Sequence, residues 1–335
     1  VKLPFRDFKD AKSRASCMTF AFTFPGQGSQ TVGMGKALAQ SYPAARALFD
    51  AVDEALGEKL SRLMWEGPEA ELTLTQNAQP ALMAVSLAAL AVLRNEFGDD
   101  AVQPAFVAGH SLGEYSALAA AGAFSPADAA KLLRLRGLAM QEAVPAGEGA
   151  MLALLGADLE PAEKLAGAAA ENDVCQVAND NAPGQVVISG SKVAIDRAAK
   201  LAPDFGVRRA VPLPVSAPFH CALMKPAAER MAQALEGISI SAPRIPLISN
   251  VTAAPVLDTH EIKSLLVRQV TGVVRWRESV AYMVDHGIDT LFEIGAGRVL
   301  TGLAKRIRSQ ADARSFGTPE DAAPFGDWLR ARMEA

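Results

Sequence analysis

The sequence predicts an α/β protein, a parallel sheet with helices on its faces, interrupted over residues 147–213 by a smaller module of its own. Two observations predict it. Strand-like runs at Thr19 to Phe24 and Ala105 to Gly109 are separated by long helical stretches, the spacing of parallel strands joined by crossovers. Beyond Pro145-Ala146-Gly147 the segments shorten into the order strand, helix, strand, strand, helix, strand. That order is the βαββαβ pattern of a ferredoxin-like module. With 335 residues, and about 150 per domain, the chain has room for both units.

The elements justify this in turn. Thr19-Phe20-Ala21-Phe22-Thr23-Phe24 alternates and reads as a first strand. Pro25-Gly26-Gln27-Gly28 is a sharp loop, after which helical patterning runs over Lys36 to Gln40 and Ala44 to Leu56. Ala81 to Leu93, broken by Ser86, is the longest apolar stretch. It falls short of the roughly 18 to 20 residues of a membrane span and reads as a buried core helix. Ala105 to Gly109 is a strand, followed by a tight turn and a helix from Gly113 to Ala121, and a further helix carries Leu132 to Met140. In the module, strands are expected at Ala150 to Gly156, Val174 to Ala178, Gln185 to Ser189 and Val207 to Pro212, helices at Pro161 to Ala170 and Val193 to Leu201, and a turn at Asn179 to Gly184. Strand-like Pro246 to Asn250, a helix near Glu278 to His286 and a strand at Thr290 to Ile294 then restore the α/β rhythm. The domains are accordingly 18–146 with 214–320, and 147–213, with a C-terminal tail at 321–335. Residues 1–17 mix both charge signs without an apolar core, so they read as a leader or upstream extension before Met18 and not as an export signal.

Composition narrows the function. Thirty-three basic against 37 acidic residues give a net charge of −4, which offers nothing to neutralise a phosphate backbone, so nucleic acid is not an expected partner. No membrane partner is implied either. Cys17, Cys175 and Cys221 are odd in number and widely spaced, which supports neither a disulfide framework nor a zinc site and points to a reducing cytoplasm.

The chemistry begins at Gly109-His110-Ser111-Leu112-Gly113, a G-x-S-x-G sequence between a predicted strand and a predicted helix. A turn that tight strains the serine and projects its hydroxyl, with the amide of Leu112 facing a developing oxyanion. The alternative is a glycine-bounded turn with an inert serine. A nucleophilic serine needs a base, and four histidines are available. His110 is read as a packed turn residue pointing away from the serine, and His260 and His286 as solvated surface. His220 sits in the rigid loop Pro218-Phe219-His220, where a base and a structural histidine are equally good readings. The loop after the first strand reaches the same sheet edge as Ser111, so the amide of Gln27 is a candidate second oxyanion donor. Gly295-Ala296-Gly297 lacks the third glycine of a dinucleotide loop, Leu300 standing in its place, and no cofactor or metal is implied.

Together, Phe24-Pro25-Gly26-Gln27-Gly28-Ser29-Gln30, Gly109-His110-Ser111-Leu112-Gly113-Glu114, Leu135-Arg136-Gly137, Pro218-Phe219-His220 and Glu293-Ile294-Gly295-Ala296-Gly297 resemble the malonyl-CoA:acyl-carrier-protein transacylase family. The resemblance runs from Phe20 to about Ile307. It implies an α/β-hydrolase-like large domain with the ferredoxin-like insertion. It implies Ser111 as acylated nucleophile, His220 as base, the amides of Gln27 and Leu112 as oxyanion hole, and the backbone carbonyl of Gln269 in place of an acidic third member. It also implies that Arg136 pairs with the malonyl carboxylate, a task suited to the planar guanidinium fork. By residue pattern alone Arg136 reads as part of a solvated helix face with Lys131 and Arg134. His110, Phe219, Asn179 and Asn181 fall at positions bordering the family's acyl pocket, Phe219 as a bulky residue that would crowd an α-methyl group. Malonyl-CoA and the phosphopantetheine thiol of an acyl carrier protein are the implied partners. Docking an acidic carrier calls for a local positive patch, for which Arg268, Arg275, Arg277, Lys305, Arg306 and Arg308 are candidates. A polyketide acyltransferase, a serine thioesterase or hydrolase, and a non-catalytic docking module are the alternatives.

Overall fold

The computed structural model describes residues 19–334, so the expectations for residues 1–17 and for a start at Met18 lie outside the described residues. In chain order the strands are β1 (Thr19–Phe24), β2 (Phe106–Gly109), β3 (Gly149–Leu155), β4 (Cys175–Ala182), β5 (Gln185–Ser191), β6 (Arg209–Pro212), β7 (Leu247–Ile248), β8 (Pro255–Val256), β9 (Ile288–Ile294) and β10 (Asp312–Phe316). Six of them form one sheet in the order β10-β9-β1-β2-β7-β8, parallel except for the β7–β8 pair. The other four form an antiparallel sheet in the order β4-β5-β3-β6, the strand order of a ferredoxin-like module.

A central parallel strand is buried on both faces, so its alternation is between large and small instead of apolar and polar. Phe20, Phe22 and Phe24 of β1 face one core, where Phe20 meets Phe292 and Trp328 edge-on. Ala21 faces the other core, against the helices Trp276–Asp285 and Val299–Ile307. The segment set apart as a C-terminal tail contains the helix Ala322–Glu334, whose Phe325 and Trp328 pack on Phe292. The apolar stretch around Ser86 is the middle of a 23-residue helix, Thr75–Phe97. By length and composition it could cross a membrane, yet 83% of its apolar window is buried among the other elements as the central core helix.

The turn predicted for Asn179 to Gly184 is mostly strand, since β4 continues to Ala182 and only Pro183 and Gly184 turn. The register of β4 on β5 is irregular between Val177 and Asn179 and again between Asp180 and Ala182, which breaks the period-two pattern that marks a strand. The free edge of β4 is tied to the large sheet's side of the molecule. The N–H of Asp180 donates to the Val274 carbonyl at 3.0 Å and the N–H of Val274 donates to the Ala178 carbonyl at 2.9 Å.

The contact between Thr75–Phe97 and the helix Pro126–Glu142 positions the next subsection's residues. Pro80 has no N–H, so the Gln76 carbonyl one turn earlier lacks its helical partner. Arg134 supplies one, its Nη1 donating to Gln76 O at 2.7 Å. Arg134 is thereby structural and not part of a solvated face. Gly137 lets the backbones touch, because a Cβ there would lie 2.4 Å from Gln76 Cα. Gly137→Ala is therefore expected to lower stability by about 1 to 3 kcal/mol through overpacking. Gly167→Ala, in a helix with open space at that position, should raise stability by roughly 0.5 to 1 kcal/mol. Urea midpoints measured side by side check both signs.

Candidate active site

Ser111 stands between β2 and the helix Gly113–Ala120 with a φ of 52°, in the left-handed region that residues with a Cβ seldom occupy. The flanking glycines permit the turn. A Cβ on Gly109 would lie 1.9 Å from the Gly113 carbonyl carbon, and one on Gly113 would lie 2.3 Å from Phe24 O. Both ends of the strained residue are held. Its N–H donates to Asn250 Oδ1 at 2.8 Å, and its carbonyl accepts from Gln269 Nε2 at 2.9 Å. Asn250 Nδ2 also donates to Gly109 O at 2.7 Å, so one side chain fixes the turn at two points.

The two residues that the sequence separates by 109 positions meet here. Ser111 Oγ lies 2.8 Å from His220 Nε2, and His220 Nδ1 lies 2.9 Å from the Gln269 carbonyl. A carbonyl oxygen only accepts, so Nδ1 carries the proton and the bare Nε2 faces the serine hydroxyl. Burial, and secondarily the neighbouring Arg136, push the His220 pKa down to about 3, leaving the ring neutral and able to take a proton. Among the described residues no carboxylate completes a triad. His220, like Ser111, has a positive φ, 59°.

Arg136 is 1% exposed, and the solvated helix face that residue pattern suggests for it is overturned. Its Nη1 donates to Gln79 Oε1 at 2.8 Å, and its Nη2 donates to Gln269 Oε1 at 2.8 Å and to Ser111 Oγ at 3.1 Å. Its Nε is buried without a partner. Among the described residues no carboxylate comes within 4.0 Å of this guanidinium. Burial lowers its pKa, but a guanidinium stays charged, so the site holds a cation with no carboxylate in direct contact, Glu114 acting on it only through space.

A cleft of about 430 Å³ opens over these groups. Gln27, Leu112, His110, Asn179 and Phe219 line it together with Ser111, Arg136 and His220. The backbone N–H groups of Gln27 and Leu112 donate to no other described residue. The loop of Gln27 can press against the serine turn because position 26 is glycine: a Cβ there would lie 2.8 Å from His110 O. His110 points its ring along the cleft wall, where Nε2 donates to Asn181 Oδ1 at 2.8 Å and the ring packs on Trp276. Asn181 therefore stands behind His110, whereas Asn179 reaches the cleft itself. His260 and His286 are exposed.

Three residues with large parts in this arrangement receive no role from the sequence: Asn250, Gln79 and Glu114. Each carries a signal in retrospect. Asn250 ends a strand-like segment at the sheet edge that also carries Ser111, Gln79 is a polar residue in an apolar helix, and Glu114 is the lone charge in the helix after the serine. Asn250→Ala removes both bonds that this side chain makes to the turn. Phosphonylation of Ser111 by a small neutral fluorophosphonate is expected to slow about 10- to 100-fold, with unchanged kinetics counting against the clamp.

The chain is similar to known proteins over most of its length. The acyl transferase domain family matches residues 21–318. A malonyl CoA-acyl carrier protein transacylase of Bacillus subtilis is 48% identical over 301 residues, covering 90% of this chain and 94% of the relative, and one from Escherichia coli is 47% identical, covering 91% and 97%. The crystal structure of an acyl-carrier-protein S-malonyltransferase from Bartonella henselae superposes with a TM-score of 0.91 at 54% identity, over 93% of this chain and 99% of that one. A malonyl-transacylase solved in complex with a type II polyketide-synthase acyl-carrier protein superposes with a TM-score of 0.87 at 44% identity, over 90% and 97%. On the breadth of these matches, the chain belongs to the malonyl-CoA:acyl-carrier-protein transacylase family of acyl transferases.

Proposed function

We propose that this chain transfers a malonyl group from malonyl-CoA to the phosphopantetheine thiol of an acyl carrier protein through a malonyl-Ser111 intermediate. The observation that carries the reading is the buried guanidinium of Arg136, which has no acid partner and lies 3.1 Å from Ser111 Oγ. Such a cation, with Glu114 reaching it only through space, is favoured further by a ligand that brings a carboxylate into direct contact. Malonyl thioesters carry one, and acetyl thioesters do not.

In the cycle, His220 Nε2 takes the hydroxyl proton as Ser111 Oγ attacks the thioester carbonyl, and the amides of Gln27 and Leu112 receive the oxyanion. The carbon–sulfur bond breaks, and the proton on His220 goes to the departing thiolate of CoA. The carrier's thiol then gives its proton to His220 and attacks malonyl-Ser111. Serine leaves as the alkoxide and recovers that proton, which makes the kinetics ping-pong. Gln269 orients the base through its backbone carbonyl, and Asn179 and Phe219 border the acyl group. The domains proposed for this chemistry are 18–146 with 214–320 around Ser111 and His220, and 147–213 supplying Asn179 and Asn181.

For carrier docking, the six basic candidates divide. Arg277 pairs with buried Asp180 at 2.8 Å, Arg308 with Asp285 at 2.8 Å, and Arg275 with Glu278, while Arg306 donates to the Pro183 carbonyl at 2.9 Å and to Gln185. Arg268 and Lys305 are exposed and form no ion pair among the described residues, which favours them as contacts for an acidic carrier.

Two measurements test this reading. Arg136→Ala is expected to cut malonyl transfer to holo carrier protein at least about thirtyfold, equivalent to about 2 kcal/mol, while acetyl transfer is retained or gained. Retained malonyl selectivity would remove Arg136 from its proposed role. Charge reversal at Arg268 or Lys305 should raise the apparent KM for the carrier and leave the malonylation of Ser111 by malonyl-CoA unchanged. Equal effects on both half-reactions would count against docking there.

A further inference from the structure

Glu114 takes no step in this cycle, yet it is a fully buried carboxylate with no cation within 4.0 Å among the described residues. Its Oε1 accepts from the Asn250 N–H at 3.1 Å and its Oε2 accepts from Gln269 Nε2. Burial raises its pKa to about 7, opposed chiefly by the bonds from Asn250 and Gln269.

The side chain of Gln269 connects this carboxylate to Arg136. A primary amide has a donor end and an acceptor end, and here they face different groups. Gln269 Nε2 donates to Glu114 and to the Ser111 carbonyl, while Gln269 Oε1 accepts from Arg136 Nη2 at 2.8 Å. We infer that Glu114 is a positioning residue: its ionised form only accepts, and so fixes which end of the Gln269 amide faces it and presents an oxygen that aims the Arg136 guanidinium into the cleft. The inference rests on Arg136 as the partner of the malonyl carboxylate.

The chemistry of a single-atom change makes it testable. In Glu114→Gln the backbone N–H of Asn250 cannot reverse, so the new amide must turn its oxygen there and its NH2 toward Gln269. Gln269 then either meets a donor with a donor or turns over. Turned over, it presents oxygen to the Ser111 carbonyl and NH2 to Arg136, and both contacts become repulsive.

The experiment measures kcat/KM for malonyl-CoA and for acetyl-CoA on the full chain with holo carrier protein. Values are normalised to the fraction of Ser111 that acylates by intact mass. Glu114→Gln is expected to lower the malonyl-to-acetyl ratio at least about tenfold, mainly through a higher malonyl-CoA KM, the size of one misdirected hydrogen bond to a charged group. Loss of folded protein alone would scale both substrates together, so an unchanged ratio overturns the inference. Gln269→Met cuts the connection but keeps the backbone carbonyl that holds His220, and should lower the ratio comparably. Adding Glu114→Gln to it should change the ratio no further, and an additive drop would show that Glu114 acts by another route. If Glu114→Gln does not fold, an unchanged ratio in Gln269→Met is by itself the overturning result. Failure of the unsubstituted chain to form a malonyl adduct at Ser111 would instead sink the transacylase reading, whereas normal adduct formation with an unaltered ratio sinks only the role of Glu114.

Discussion

The site depends on one strained peptide. Ser111 is held at a φ of 52°, a conformation that costs an L-residue about 1 to 3 kcal/mol and persists only where neighbours over-determine it. Here they do so from both sides: Asn250 takes the N–H, Gln269 supplies a donor to the carbonyl, and the glycines at 109 and 113 allow backbone to approach backbone closer than any Cβ would permit. The consequence is a hydroxyl already 2.8 Å from His220 Nε2. His220 is itself at a positive φ, so both reacting partners are fixed by surroundings drawn from distant parts of the chain.

Those surroundings include the inserted module. Its outer strand β4 carries Asn179 and Asn181, and Asn181 in turn fixes the His110 ring beside the serine. β4 is not left to swing on the module alone. Two backbone hydrogen bonds to Val274 and the pair between buried Asp180 and Arg277 bind its free edge to the larger unit. Reversing the charge at Arg277 would strand Asp180 in the interior, which is why that residue belongs to the fold before it belongs to any surface.

How much of this was legible in the sequence follows from what each residue touches. Local chemistry could be read: the alternation of β1, the glycine-bounded serine and the strand-turn-helix around it are set by neighbours within a few positions. The pairing of Ser111 with His220 could be expected only from a resemblance, because no local pattern separates a base from a structural histidine. Arg136 was hidden by its company. Lys131 and Arg134 made it look like a solvated stripe, although Arg134 is occupied with the carbonyl that Pro80 leaves free. Asn179 and Asn181 were misplaced into a turn because two register irregularities erase the strand period around them. Asn250 and Gln79 reach Ser111 and Arg136 across more than fifty positions, and no windowed pattern reports such contacts.

On the proposed reading, Arg136 also couples selectivity to reactivity. The same positive charge that would suit a carboxylate is, after burial, the strongest influence holding down the basicity of His220. A base held well below its ordinary pKa accepts a proton reluctantly. A carboxylate seated on the guanidinium would offset that positive field across a short, water-poor distance where charges interact strongly. The imidazole would then become a better proton acceptor in the complex that carries the right acyl group than in one that lacks the carboxylate. Discrimination in this arrangement does not need a closing lid. It can follow from one charge that weakens the catalytic base until the substrate's own charge compensates it.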